Sequence, residues 1–421
     1  MGNPMGKINK IALVLCTITI LTSQGSTAGD LERNQAKRIH DRLTGITAPN
    51  ATIDAMESLL VANPVTGGKL AAQFAIDPSL NPAAWSFYNV TLKNFAAPWT
   101  NEEQTVFTPL NDYTATVIGT IRDGHDFRRI LYDDILYVGN APGIGSYSPN
   151  NNNHYQALED LDPAGAGNLV TTLQQTTQSS VTPLPSNATA GIMTTRAASM
   201  AFFSDGTNRA MFRFTLMNQL CTDLEPLKDV SRTPDRVRRD VSRSPGGDSR
   251  IFLNACVGCH AGMDGMAGAF AYYEWDYTND KTDGSLLYTE GAVSNKHNIN
   301  QDNFKPGYLT TDDSWVNYWR NGPNYLLGWS DSRIATPLAK DDKNNTVGNG
   351  AKSLGEELAS SHAFAQCQVD KVFETVCLRG PENFYDQDRV VRDTIVNNFK
   401  TTYNYNMREV FTDVAAHCKG N

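Results

Sequence analysis

Several features of other protein classes are absent from this 421-residue chain. Beyond its first 28 residues it has no apolar run long enough to cross a bilayer, which requires about 20 residues. It lacks the His-Glu-x-x-His of zinc proteases, the Gly-x-Ser-x-Gly of serine hydrolases and a phosphate-binding loop. Strand signals are few and no internal repeat is found, so the remaining pattern is mostly helical.

Basic residues are also fewer than acidic ones. The chain has 36 Lys and Arg against 45 Asp and Glu, which gives a net charge of −9. Loss of an N-terminal segment that carries Lys7 and Lys10 and no acid would lower this by two, to −11. Because such a surface repels phosphate, we expect no nucleic-acid partner. A protein partner is expected to be basic.

The N-terminus has the pattern of a signal peptide. Two lysines precede an apolar run at 11–21, and Ser26 and Ala28 stand at the −3 and −1 positions of a cut that would leave residues 29–421. The alternative is an uncleaved anchor, but the run is about half the length needed to span a bilayer. We therefore predict a signal peptide over 1–28, a periplasmic or secreted location, and no membrane span after cleavage.

The most informative motif is Cys256-Val257-Gly258-Cys259-His260. Two cysteines three apart, followed directly by histidine, form the attachment signature of a c-type haem. Cys256 and Cys259 would form the thioethers, and His260 would be the proximal ligand of the iron. A zinc site is the alternative, but it needs four ligands and the chain has no second Cys-x-x-Cys. We predict one covalently bound haem c.

The ligand on the other side of the iron is harder to assign. We favour Met193 as distal ligand, because the glycine and threonines around it predict a tight loop instead of a core helix. Methionine opposite histidine makes an electron carrier, whereas an open site admits peroxide. Other candidates are Met200, Met211, Met217, His297 and His362.

Four cysteines remain after the haem pair and Cys16 of the signal peptide are set aside. In an oxidising compartment this even number predicts two disulfides. Cys367 and Cys377 lie on one predicted helix, about 15 Å apart, which is too far for a bridge. Two sets stay open: Cys221–Cys367 with Cys377–Cys418, or Cys221–Cys377 with Cys367–Cys418. Four free thiols are the alternative.

The chain divides into three regions after the signal peptide. We predict an N-terminal helical domain at 29–165, a haem-binding cytochrome c-like domain at 166–345 and a C-terminal helical domain at 346–421. The fold class is thus mainly α and multi-domain. Before the haem motif lies a basic linker whose arginines could contact haem propionates or form a solvated face: Arg232, Arg236, Arg238, Arg239, Arg243 and Arg250.

Three segments resemble the planctomycete-type cytochrome c family, in which domains of unknown function flank a haem-attachment domain. The similar motifs are Phe87-Tyr88-Asn89-Val90-Thr91-Leu92-Lys93, Ala190-Gly191-Ile192-Met193-Thr194-Thr195, Asn208-Arg209-Ala210, the haem pentad with Asp264, Phe270 and Asp276, and His362-Ala363-Phe364-Ala365-Gln366-Cys367. Gly265 departs from the family, which has proline after the aspartate. The resemblance implies an exported haem protein with a role in electron transfer, and it implies no particular substrate.

These observations predict an exported monohaem c-type cytochrome that acts in electron transfer. The alternative is a haem peroxidase or another haem-dependent oxidoreductase with an open distal site, so whether the protein is an enzyme stays open. A third hypothesis is a binding protein in which the haem is an accessory. The length of the chain argues against a simple shuttle, because small carriers are much shorter.

Overall fold

The structure is a computed structural model that describes residues 28–204, 206–330, 338–381 and 386–420. Helices predominate in these ranges, and the strands form three two-stranded antiparallel pairs. The predicted mainly α fold is confirmed. The predicted signal peptide lies outside the described residues, except for Ala28 at the start of the first helix. Within the described ranges, none of the helices is both long and apolar enough to cross a bilayer.

The N-terminal region is built from helices that proline and asparagine residues delimit. Pro49 precedes the second helix, and the Asn111 side chain accepts a hydrogen bond from the Thr114 backbone N–H at the start of the fifth. A π-helical turn, Phe87–Thr91, leads directly into the fourth. The helices are α1 (Ala28–Thr44), α2 (Asn50–Ala62), α3 (Gly67–Ile76), α4 (Leu92–Ala96), α5 (Asp112–Arg122) and α6 (Asn153–Glu159).

Two sequence-based expectations in this region are wrong. The apolar pattern at 127–138 predicts a helix, but the chain forms a short 3₁₀ turn, Phe127–Leu131, and then strand β1, Leu136–Gly139. Strand β1 pairs with β2, Leu173–Thr176, and this pairing satisfies its backbone polar groups. Helix α6 lies inside the stretch 139–167, which the glycines and asparagines predict to be irregular.

The middle region mixes short helices with two further strand pairs. Trp275 lies opposite Leu286 in the first pair, and Val316 lies opposite Val347 in the second. The helices are α7 (Leu169–Thr172), α8 (Gln178–Val181), α9 (Arg196–Phe202), α10 (Arg209–Leu220), α11 (Ser249–Ile251) and α12 (Val257–Ala267). The strands are β3 (Tyr273–Asp276), β4 (Ser285–Tyr288), β5 (Ser314–Asn317) and β6 (Thr346–Asn349).

The C-terminal region is helical, as predicted. The pattern at 353–378 predicts one helix, but Ser361 interrupts it, because its hydroxyl caps the next helix by accepting from the Phe364 backbone N–H. The four helices are α13 (Gly350–Ala359), α14 (His362–Cys377), α15 (Asp386–Thr401) and α16 (Met407–His417).

The main hydrophobic cluster continues through all three regions, from Ala36 to Cys418. The rings of Phe87 and Phe411 meet edge to face at 5.1 Å, and the Gln35 amide donates to the Gly420 carbonyl at 2.7 Å. The N-terminal and C-terminal regions therefore share a core. The domain boundaries drawn at 165 and 345 stay predictions.

Two disulfides fix this arrangement. Cys221 is bonded to Cys367 across 146 residues, and Cys377 is bonded to Cys418 across 41 residues. This is the first of the two sets that the sequence leaves open. Cys367 and Cys377 lie on the single helix α14, as predicted, and are not bonded to each other. The first bridge joins α14 to the end of α10, and the second joins it to the end of α16.

Candidate functional site

The haem pentad lies where a wide helical turn meets a regular helix. The π-helical turn Phe252–Cys256 follows α11, and Cys256 is the N-cap residue of α12. Cys259 and His260 belong to the first turn of α12. π-turns inside helices are rare and often mark functional sites. The two cysteines and the histidine are thus held on one short, continuous stretch of helical backbone.

The two thiols of the pentad are free. Cys256 and Cys259 are each partly exposed, whereas the other four cysteines in the described part of the chain are disulfide-bonded. The Cys259 Sγ lies 3.7 Å from the Leu224 carbonyl oxygen, and burial raises the pKa of this thiol. Both thiols of the pentad are therefore available for a further bond.

Gly258 lets another segment approach the pentad closely. A Cβ at Gly258 would lie 2.4 Å from the Lys228 side chain and 3.3 Å from that of Val230, and the Asp229 backbone N–H donates to the Gly258 carbonyl at 3.2 Å. Val230 is 62% exposed, and Leu253 in the π-turn is 54% exposed. Exposed apolar side chains near the pentad fit a large apolar group such as a porphyrin.

His260 is oriented by an aspartate one helical turn further on. Its Nδ1 lies 3.3 Å from Oδ2 of Asp264, whose side chain is fully buried. An ionised carboxylate only accepts hydrogen bonds, so Nδ1 carries the hydrogen and donates. The Nε2 lone pair is then left for a metal ion. Metal-binding histidines generally have such a partner on their other nitrogen.

Arg209 keeps Asp264 ionised. Its Nε and Nη2 donate to Asp264 at 2.6 and 2.8 Å, and its Nη1 and Nη2 donate to Asp240 at 2.6 and 2.8 Å. Burial opposes ionisation, but the Arg209 charge and the hydrogen bond from His260 hold the pKa of Asp264 well below its ordinary value. The sequence resemblance contains Asp264 and Arg209, but it gives no sign that they form a pair.

The same network includes a histidine that the sequence suggests as a distal ligand. His297 is 1% exposed, its Nδ1 lies 2.5 Å from Nη1 of Arg238, and its Nε2 lies 3.3 Å from the Asn208 amide. Burial and the charge of Arg238 lower the pKa of His297 well below its ordinary value. Both ring nitrogens therefore have protein partners, and neither is free for iron in this structure.

Met193 lies in a tight 3₁₀ turn, Gly191–Thr194, as its neighbours predict. The turn is buried, however, and Met193 is 1% exposed. Its methyl carbon lies 3.1 Å from the position of a Cβ on Gly355 of α13, and a Cβ on Gly191 would lie 2.0 Å from the Ile130 carbonyl oxygen. The structure thus shows Met193 packed in the core against α13, and its role as distal ligand stays a prediction.

Most arginine side chains of the basic linker form hydrogen bonds or ion pairs with other groups of the protein. Arg232 pairs with Asp229, and the exposed Arg250 pairs with Asp248. Arg243 differs, because it donates to the Val237 and Val241 carbonyls and its guanidinium lies 4.8 Å from the centroid of the Phe252 ring in the π-turn. Arg236 and Arg239 likewise donate to hydroxyl or carbonyl oxygens. Of these three arginines, Arg243 contacts the π-turn that precedes the pentad.

Three of the aromatic residues after the pentad lie in the core. Phe270, Tyr273 and Trp275 are buried, and the Tyr273 ring stacks on Phe203 with centroids 5.7 Å apart. Trp319 packs on the helix of the pentad, because a Cβ on Gly262 would lie 2.1 Å from its Nε1. These rings support α12 from the core.

Comparison of the chain with protein-family models, curated proteins and solved structures returns no match. Nor does the described part of the chain contain a group of three or more His, Cys, Asp or Glu side chains arranged to hold a metal ion. A c-type haem needs only two thiols and one histidine from this segment.

Proposed function

We propose that this protein is an exported monohaem c-type cytochrome that transfers electrons, with haem bound to Cys256 and Cys259 and with His260 as proximal ligand. One observation carries the proposal. The two cysteines that precede His260 are the free ones, while the other cysteines of the described chain are paired. The two disulfides also favour an oxidising compartment outside the cytoplasm.

The haem would supply a one-electron iron centre, and the protein's own residues set its surroundings. His260 presents Nε2 because Asp264 accepts from Nδ1. Arg243 is the linker arginine best placed to pair with a propionate. Val230 and Leu253 would lose their exposure to water against the porphyrin. The net charge of −9 favours a basic redox partner protein.

A peroxidase is the second candidate, and Asp264 favours it. A carboxylate that accepts from the proximal histidine raises the basicity of that ligand. This increases electron density on the iron, which stabilises its oxidised forms. The catalytic residues of such an enzyme would have to lie on the distal side, where the structure singles out none.

The first experiment asks whether haem is attached. The chain is expressed with its signal peptide in a host that attaches haem c, and the purified protein is analysed by intact mass and by its haem absorbance. We expect one haem in the wild type and none attached covalently in Cys256→Ala/Cys259→Ala. Asn254→Ala, an exposed change on the same turn, is the control and keeps its haem. A colourless wild type with the mass of the bare chain would refute the proposal.

Carbon monoxide then separates the two candidates. The visible spectrum of the reduced wild type is recorded with and without the gas. A low-spin spectrum that carbon monoxide leaves unchanged supports the electron carrier with a filled sixth position. A high-spin spectrum that shifts on addition of the gas supports the peroxidase.

A further inference from the structure

A second site is suggested by a buried arginine outside the haem network. Arg196, the first residue of α9, is 7% exposed. Asp112 is the carboxylate beside it, but this group accepts from the backbone N–H of Arg196 at 2.5 Å, from those of Ala197 and Tyr113 at 3.0 Å, and from the Tyr147 hydroxyl at 3.2 Å. Its oxygens are therefore used by other donors.

The guanidinium of Arg196 forms no ion pair among the described residues, although the carboxyl groups of Asp112 and Asp283 lie close enough to act on its charge. Its Nη2 donates to the Thr282 carbonyl, and its Nε is buried without any hydrogen-bond partner in the described structure. Burial lowers the pKa of this group. A buried guanidinium nitrogen without a hydrogen-bond partner is costly, so its retention needs an explanation.

A cavity of about 370 Å³ adjoins this arginine. The volume lies in the range of small-molecule sites. Its wall includes apolar side chains of Pro109, Ala197 and Met200, and Arg196 is the cation among its lining residues. Asn101 and Asn152 also line it, but their amides donate to backbone carbonyls and so stiffen the wall. The wall therefore offers one guanidinium, from Arg196, one carboxyl group, from Asp283, and a short apolar surface.

We propose that this cavity binds a small monocarboxylate, whose carboxylate pairs with Arg196 and whose short apolar tail lies against Met200. Pairing would place a carboxylate in direct contact with the guanidinium, whose planar shape matches a carboxylate. Asp283, which also lines the cavity, disfavours a second negative charge, and a dicarboxylate should bind more weakly. The site does not depend on the haem assignment.

The test compares butyrate with butyramide, which has nearly the same shape and no charge. Thermal unfolding of the wild-type protein is followed with each compound and with sodium chloride at matched ionic strength. We expect a saturable rise in the midpoint with butyrate, a smaller one with succinate, and none with butyramide. Trp275, whose ring centroid lies 5.8 Å from the Arg196 guanidinium, gives an independent fluorescence signal.

Two variants locate the site. Arg196→Gln should weaken butyrate binding at least about tenfold, the loss expected for one charge-assisted pair. Arg250→Gln, at an arginine whose side chain is 82% exposed, is the matched control and should bind as the wild type does. If Arg196→Gln does not fold, Met200→Trp, which fills the cavity, must abolish binding instead. Equal shifts with butyrate and butyramide, or no shift with any carboxylate, would overturn the proposal.

Discussion

Asp264 offers a quantitative test of the haem site, through the variant Asp264→Asn. The change keeps the size of the side chain but removes the negative charge that lies 3.3 Å from Nδ1 of His260. A hydrogen bond to a charged acceptor is worth about 1–2 kcal/mol more than one to a neutral acceptor. In the proposed haem site the carboxylate would stabilise the oxidised, more positive iron, so its loss would favour the reduced state. At about 2.3 kcal/mol per 100 mV, the reduction potential should rise by about 40–90 mV.

The assay is a spectroelectrochemical titration of the haem-loaded protein, with haem content measured separately by absorbance. Asp248→Asn is the control. Asp248 pairs with exposed Arg250 upstream of the pentad, and its change should move the potential by no more than about 10 mV, because solvent screens such pairs. If haem is bound at full content and the potential of Asp264→Asn is unchanged or lower, the hydrogen bond to His260 does not tune the iron.

Removing a buried charge also endangers the fold, since Arg209 would keep only Asp240 as a carboxylate partner. Asp240→Asn is therefore the second variant. It touches Arg209 but has no hydrogen bond with His260, so we expect a rise in potential of the same sign and smaller size. A fall in potential in this variant would contradict the electrostatic argument even if Asp264→Asn cannot be purified.

Three further predictions concern stability. Burial lowers the pKa of Lys371 to about 8, so protonated Lys371 destabilises the fold by about 3 kcal/mol below that pH. The free energy of unfolding should then rise with pH between 8 and about 10.5, the pKa that a lysine has in the unfolded chain. Urea unfolding should therefore show that Lys371→Met raises the free energy of unfolding more at pH 7 than at pH 10. An equal increase at both pH values would contradict this. The double change Cys377→Ala/Cys418→Ala should cost about 2–5 kcal/mol in the same assay, and less than about 1 kcal/mol would show that the bridge does not constrain the unfolded chain. Gly191→Ala should cost more than about 2 kcal/mol, because its Cβ would meet the Ile130 carbonyl and its φ is +52°; an unchanged midpoint would mean that the turn relaxes freely.

Regular helices were predictable because their apolar periodicity is long and their ends are marked. The pattern at 208–221 became α10, and the pattern at 407–418 became α16. The pattern at 127–138 failed because a short apolar run fits a buried strand as well as a helix, and only the partner strand β2 decides between them. Pairing with a segment about 35 residues away leaves no local sequence signal.

In the candidate site, the sequence predicts the residues that are adjacent in the chain. It does not predict which distant residues the fold brings together. The pentad is one run of five residues, so its spacing alone predicts which residues would bind the haem. The network around Asp264 needs Arg209 from α10 and Asp240 from the linker, and no spacing rule links these positions. Met193 shows the opposite problem: its tight turn was predicted correctly, but burial against α13 depends on the whole fold.

The disulfides and the charge network together restrain α12, the helix that carries the pentad. Cys221 closes α10 at its C-terminal end by bonding to α14, while Arg209 at the N-terminal end of α10 binds Asp264 on α12. Helix α10 thus connects the C-terminal region to the proximal side of the site. Since α14 is bonded again at Cys377 to α16, which packs on α3, the orientation of His260 depends on contacts from both ends of the chain. If the pentad carries haem as proposed, this dependence would give a physical reason for a length that a simple electron shuttle does not need.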